Sequence, residues 1–374
     1  MEKLKLLMIF GTRPEAIKMC PLALELKRHS GFDLRVLLTG QHRELADSVM
    51  AAFGVKADYD LALMRPGQTL TSLTTGILEG VGKIVESDFR PDFALVHGDT
   101  TTAFASALAC FYHQVKTAHI EAGLRTRDIW APYPEEANRA MISRIASLHF
   151  APTKGNERNL RDDRVTDGVY VTGNTGLDAF RYTIKENYEF SDPALRDLDF
   201  KGFRTVVMTA HRRENLGAGI ENICRAVKRV AETHPDTQFV YPMHPNPAVR
   251  NTVIPLLGGV PRVRLIEPLD VFDMHNLMAR SYLCLTDSGG LQEEAPALGL
   301  PVVVLRGETE RPEAVEAGTV VLAGTDEGDI VRITTGLLDD GARYREMRRA
   351  VNPYGDGHAS ERIADVFESL RDKG

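Results

Sequence analysis

The chain has 374 residues, 43% hydrophobic and 26% charged, with a formal net charge of −7. That balance excludes a disordered chain and leaves enough apolar mass for two domains. Acids and bases are interspersed without a long Lys/Arg run, which excludes the basic face of a nucleic-acid binder, and no apolar stretch reaches membrane-spanning length.

The N-terminus, MEKLKLLMIF, is basic then apolar and runs straight into Gly11-Thr12-Arg13-Pro14, so it reads as a buried first strand rather than a signal peptide. Further apolar runs follow at 34–38, 93–97, 117–120 and 169–172, separated by helix-like stretches such as 22–26 and 102–112. Continuous runs without strict polar alternation suit strands covered on both faces, hence a parallel sheet. After a polar stretch at 182–201 the pattern restarts, with strands expected at 205–209, 238–241, 263–266, 282–286, 301–305 and 319–322. The expected architecture is α/β: two Rossmann-like doubly wound domains facing a central cleft, covering 1–175 and 176–357. An amphipathic segment at 360–370, within a C-terminal helix of about 358–374, is expected to pack back on the first domain. Cys20, Cys110, Cys224 and Cys284 lie far apart with no C-x-x-C pair, as expected of reduced, buried thiols in a cytoplasmic protein.

Ligands of such folds sit at the carboxyl ends of strands. The first strand ends in Gly11-Thr12-Arg13-Pro14, where Thr12 suits a helix cap and Pro14 the first helical turn. Arg13 and Lys18 then flank a helix N-terminus, an anion site. The absence of G-x-G-x-x-G speaks against a nicotinamide. Asp99, in His97-Gly98-Asp99-Thr100-Thr101, and Glu121, in Glu121-Ala122-Gly123-Leu124-Arg125, each close a strand, where a carboxylate is hard to explain by packing. In Pro134-Glu135-Glu136-Ala137-Asn138-Arg139 the four-residue spacing of Glu135 and Arg139 predicts a shared helical face, on which a routine surface ion pair is the alternative to a functional role.

The second half repeats the arrangement. His211 stands beside Arg212 and Arg213 at a strand end, and His244 lies in the Pro-rich loop Tyr241-Pro242-Met243-His244-Pro245. Thr286-Asp287-Ser288-Gly289-Gly290 carries the sharpest signal: Ser288 as a cap, with Gly289 and Gly290 letting a backbone approach a diphosphate at a helix N-terminus. Glu294, about one and a half turns on, suits the hydroxyls of a ribose. Arg311 adds a cation after another strand. Together these parts predict a site for a nucleotide-diphosphate sugar.

From Gly11-Thr12-Arg13-Pro14-Glu15-Ala16 to Asn352-Pro353-Tyr354-Gly355-Asp356-Gly357 the motifs resemble those of the non-hydrolysing UDP-N-acetylglucosamine 2-epimerases. The resemblance implies a homodimer with the GT-B fold, no cofactor and no metal. It implies substrate contacts at Arg13, Lys18, Asp99, Glu121, Arg139, His211, Ser288, Gly289, Gly290, Glu294 and Arg311. It further implies uracil contacts near Leu269 and Met274 and a catalytic set of Asp99, Glu121, Glu135 and His211. It also implies UDP-N-acetylglucosamine as substrate and as an activator bound at Gln41, Gln68, Glu136, Arg212 and His244.

The family reaction eliminates UDP to 2-acetamidoglucal and adds it back after inverting carbon 2. The site must therefore hold a leaving diphosphate and move protons on two faces, a task for at least two acid/base groups. The residues alone leave other readings open: a hydrolysing 2-epimerase, an epimerase of a related diacetamido-uronic acid nucleotide, a GT-B glycosyltransferase, or a non-catalytic nucleotide-sugar sensor.

Overall fold

Runs of apolar residues that no polar alternation interrupts become the inner strands. Leu4–Phe10 (β1) is buried from Leu6 onward. The computed structural model describes residues 2–40, 43–65 and 67–372. Residues 1–182 with 354–374 make one compact unit and 183–353 a second.

In the first unit, β1 is joined by Phe32–Leu38 (β2), Tyr59–Asp60 (β3), Phe93–His97 (β4), Lys116–Ile120 (β5), Leu148–Ala151 (β6) and Val169–Val171 (β7). These strands form a parallel sheet in the order β3-β2-β1-β4-β5-β6-β7. The register sets Leu6 of β1 against Phe93 of β4, and His119 of β5 against both Val96 and His149. The strands β3 and β6 lie outside the apolar runs read from the sequence. β3 has two residues, and in β6 His149 interrupts a run of four.

The second unit holds Arg204–Thr209 (β8), Thr237–Pro242 (β9), Val263–Ile266 (β10), Leu283–Thr286 (β11), Val302–Val304 (β12) and Val320–Leu322 (β13). Their order is β10-β9-β8-β11-β12-β13, again parallel. Its core packs Val206, Met208, Phe239, Tyr241 and Leu285 against Ile220, Val227 and Ile330.

Each unit is thus doubly wound, and each sheet reverses direction at one place: between β1 and β4, and between β8 and β11. A crevice opens at the carboxyl end of such a reversal. The residues that follow these four strands are Gly11-Thr12, Gly98-Asp99, Ala210-His211 and Asp287-Ser288.

The helix Ala359–Arg371 belongs to the first unit. Its Phe367 is fully buried, in edge contact with Phe32 and Phe93 and beside Phe150; a buried Phe stabilises by about 1.5–3 kcal/mol. The cap of this helix comes from far away in sequence. Asp178 accepts from the Ala359 and Ser360 amides at 3.1 and 2.5 Å, the task an N-cap side chain ordinarily performs. The four cysteines are buried and unpaired. Among the described residues, no helix is long and apolar enough to cross a membrane, and no cluster of three or more His, Cys, Asp or Glu is placed to hold a metal ion.

Candidate active site

At the end of β1, Thr12 and Glu15 form a reciprocal capping box. The Oε2 of Glu15 accepts from the Gly11 and Thr12 amides at 3.0 and 2.8 Å, while its Oε1 accepts from the Thr100 hydroxyl at 2.7 Å. One buried carboxylate therefore ties the turn after β1 to the turn after β4. Arg13, half-buried, opens the helix Arg13–Arg28.

Gly98 adopts φ +62°, which only glycine takes without strain. Neighbouring β5 holds it twice. Its amide donates to the Ile120 carbonyl at 2.9 Å, and its carbonyl accepts from Nε2 of His119 at 2.6 Å. Burial pushes the His119 imidazole down to about 3, so the ring is neutral at physiological pH.

Asp99 follows. Its Oδ2 accepts from Nε and Nη2 of Arg139 at 3.0 and 2.5 Å, and its backbone carbonyl from Nδ2 of the Asn138 side chain at 2.9 Å. Its carboxylate remains 27% exposed.

Glu121 closes β5 at φ +61°, a left-handed conformation rare outside glycine. Its carboxylate is ion-paired with Lys18, and Nε2 of His97 lies 3.5 Å from the same oxygen. Burial alone would push this carboxyl up, but the Lys18 ammonium and then the His97 ring outweigh it and hold the group well below the usual carboxylate range. Glu121 is therefore ionised at neutral pH. Lys18, expected to meet a ligand anion, spends charge on Glu121.

Glu135 and Arg139 do not form the surface ion pair that their spacing allows. Arg139 is 4% exposed and turns to Asp99 and to Glu136, at 3.0 Å, three residues away. Helical geometry allows spacings of three and four equally, and the buried Asp99 contact selects the side. Glu135 is half-buried at the start of the helix Glu135–Ile145, with no ion-pair partner among the described residues. Glu136 is buried and accepts from the Thr126 and Arg127 amides at 3.0 and 3.1 Å.

In the second unit, fully buried Asp287 organises the turn after β8. Its Oδ2 accepts from the His211 and Arg212 amides at 2.8 Å each and from the Asn215 side chain at 2.9 Å. The His211 ring stacks on exposed His244, centroids 5.1 Å apart and planes 7° off parallel. Burial, with His244 and Arg212 nearby, lowers the His211 pKa despite the Asp287 carboxylate.

Ser288 holds the N-cap position of the helix Gly289–Ala297, but its hydroxyl makes no cap bond, contrary to the sequence expectation. The first amides of that helix are thus left for other acceptors. A Cβ at Gly289 would sit 3.5 Å from an Arg311 guanidinium nitrogen and 3.6 Å from one of Arg212. Two cations therefore stand beside a helix N-terminus that lacks side-chain bulk, an arrangement suited to an anion. Arg311 is held there by Glu293, and its loop by a 2.6 Å bond from Thr309 to Gln292. Glu294, about one and a half turns into that helix, lies 3.9 Å from Nε2 of His275. Leu269 is buried just before the helix Val271–Arg280, on which Met274 is half-buried.

Gln68 is half-buried and lines a cavity of about 720 Å³ that includes none of the strand-end carboxylates. Gln41 lies outside the described residues. Glu15, Asn215 and Glu293 carry no distinct signal in the sequence, since each acts through partners that only the fold supplies.

A family model described as UDP-N-acetylglucosamine 2-epimerase matches residues 24–368. The UDP-N-acetylglucosamine 2-epimerase of Bacillus subtilis is 50% identical over 98% of this chain and 95% of its own length. A Neisseria meningitidis UDP-GlcNAc 2-epimerase solved with UDP-GlcNAc superposes with a TM-score of 0.89 at 45% identity, covering 98% of this chain and all of that one. An S. aureus protein solved with UDP gives 0.89 at 44% identity, covering 99% and 97%. Doubly wound units, strand-end carboxylates and a cation-flanked helix end thus coincide with near-complete sequence coverage, and the chain belongs to the UDP-N-acetylglucosamine 2-epimerase family.

Proposed function

We propose that the protein interconverts UDP-N-acetylglucosamine and UDP-N-acetylmannosamine by eliminating UDP to 2-acetamidoglucal and adding it back. The observation that carries this reading is Glu121, ionised and held at the end of β5 by Lys18, in the same unit as a second strand-end carboxylate, Asp99.

The hydrogen on carbon 2 is weakly acidic, and a carboxylate alone is too weak a base for it. Breaking the anomeric C–O bond first puts positive charge next to that carbon and acidifies the hydrogen. UDP leaves with the bonding electrons, and a base takes the proton. The reverse step adds UDP and returns a proton to the opposite face. Glu121, already a carboxylate, suits the base, while Asp99 and Glu135 complete the acid/base set.

The second unit supplies electrostatic support. The free amides of Gly289 and Gly290, the Ser288 hydroxyl, Arg212, Arg311 and His211 suit the diphosphate whose charge grows as the bond breaks. Glu294 suits the ribose, and Leu269 with Met274 the uracil.

The test is incubation with UDP-N-acetylglucosamine alone. The expected product is UDP-N-acetylmannosamine with no net release of free sugar. Stoichiometric N-acetylmannosamine and UDP would identify a hydrolase, and no change without an added acceptor would point to a transferase.

A further inference from the structure

The histidine that ends β4 has no part in the scheme above, yet it is the second polar group against Glu121. His97 is 4% exposed, and its Nε2 is buried with no hydrogen-bond partner. Buried polar nitrogens are rarely left unpaired, and such an atom in a site needs a reason. Its acidic neighbour is Oε2 of Glu121 at 3.5 Å, at the outer edge of hydrogen-bond distance.

The surroundings leave the ring little freedom. His97 and Ile120 are register partners on β4 and β5, so the ring and the Glu121 side chain emerge from adjacent strand ends. Gly98 follows His97, and the Glu121 carboxylate packs against this turn: a Cβ at Gly98 would lie 3.8 Å from its Oε1, an ordinary van der Waals contact. The titratable groups facing Glu121 are Lys18, from the helix Arg13–Arg28, and His97, from β4.

We infer that His97 is a positioning residue that, with Lys18, brackets the Glu121 carboxylate and aims it at the substrate. A displacement of a few tenths of an ångström brings Nε2–H into a hydrogen bond to Oε2. Apo geometries of catalytic pairs are often looser than those of the engaged state. A hydrogen bond to the charged form of an acid favours that form. His97 therefore helps Glu121 to stay a base as pH falls, even when Lys18 is drawn toward a ligand anion. This inference rests on the assignment of Glu121 as the base.

Two variants separate position from packing. H97F keeps a ring and removes the nitrogen, whereas H97Q places an amide donor close to the position of Nε2. The expected result for H97F is a kcat about tenfold or more below wild type at neutral pH. The acid limb of its pH profile moves up by about one pH unit, while KM and the melting temperature stay near wild type. H97Q restores the limb. An unmoved limb with normal kcat in H97F overturns the inference, as does equal loss in both variants together with a lowered melting temperature.

The carboxyl titration of Glu121, followed by carbon-13 NMR with UDP bound, reads the contact without turnover. An upward move in H97F supports the inference and no move overturns it. If the wild-type protein fails to epimerise, the proposed function fails while this titration still decides the role of His97.

Discussion

Replacing Glu121 by glutamine is expected to lower kcat by 10²- to 10⁴-fold while UDP affinity changes by less than about threefold. The reason is the division of labour between the units. Glu121 is held by its ion pair with Lys18 in the first unit, whereas the Gly289 helix end with Arg212 and Arg311, which suits the diphosphate, belongs to the second. Glutamine keeps the size of the side chain but abolishes its basicity. Asp99→Asn is expected to behave alike. An asparagine oxygen still accepts from Arg139, so the turn after β4 persists without its charge. Steady-state kinetics with calorimetric titration of UDP distinguishes the outcomes. A large loss of affinity with normal kcat would make both groups binding residues only.

Asp287→Ala is expected to damage the second unit rather than the chemistry directly. The substitution strands three donors that converge on one buried oxygen: the amides of His211 and Arg212 and the side chain of Asn215. Unpaired buried donors cost about 1–3 kcal/mol each, and partial relaxation makes a total of about 3–5 kcal/mol the expected loss of stability. Because that turn also places Arg212 beside Gly289, UDP affinity should fall at least about 100-fold. Asp287→Asn retains an acceptor in the same place and should recover most of the stability and part of the affinity. Chemical denaturation and UDP titration of the two variants check this; wild-type affinity in the alanine variant would show that the turn does not set the anion site.

Much of the fold is legible because parallel strands buried on both faces write themselves as unbroken apolar runs, as β1, β4 and β11 do. β6 escapes such reading because His149 breaks a run of only four residues, and β3 because two residues carry no pattern. Two strand-order reversals fix where a crevice opens, so Asp99, His211 and Ser288 are placed by topology as much as by motif, and Glu121 ends the next strand, β5. Partners are a different matter. The spacing of Glu135 and Arg139 suggests a local pair, but a buried arginine takes the carboxylate that the tertiary fold offers, and that is Asp99, 40 residues away. Asp178 caps a helix that begins 181 residues later. The Ser288 hydroxyl stays out of the cap that its position suggests. Sequence shows which groups the chain owns and where chain direction changes; which donor meets which acceptor is decided by packing across strands that are distant in sequence.

The most direct measurement is proton NMR of the purified protein with UDP-N-acetylglucosamine in heavy water. Elimination and re-addition predict that the carbon-2 proton signal of the product disappears as solvent deuterium enters there, with the uracil and ribose signals unchanged. A product that forms while retaining its original hydrogen at carbon 2 would contradict proton abstraction by Glu121 and its partners.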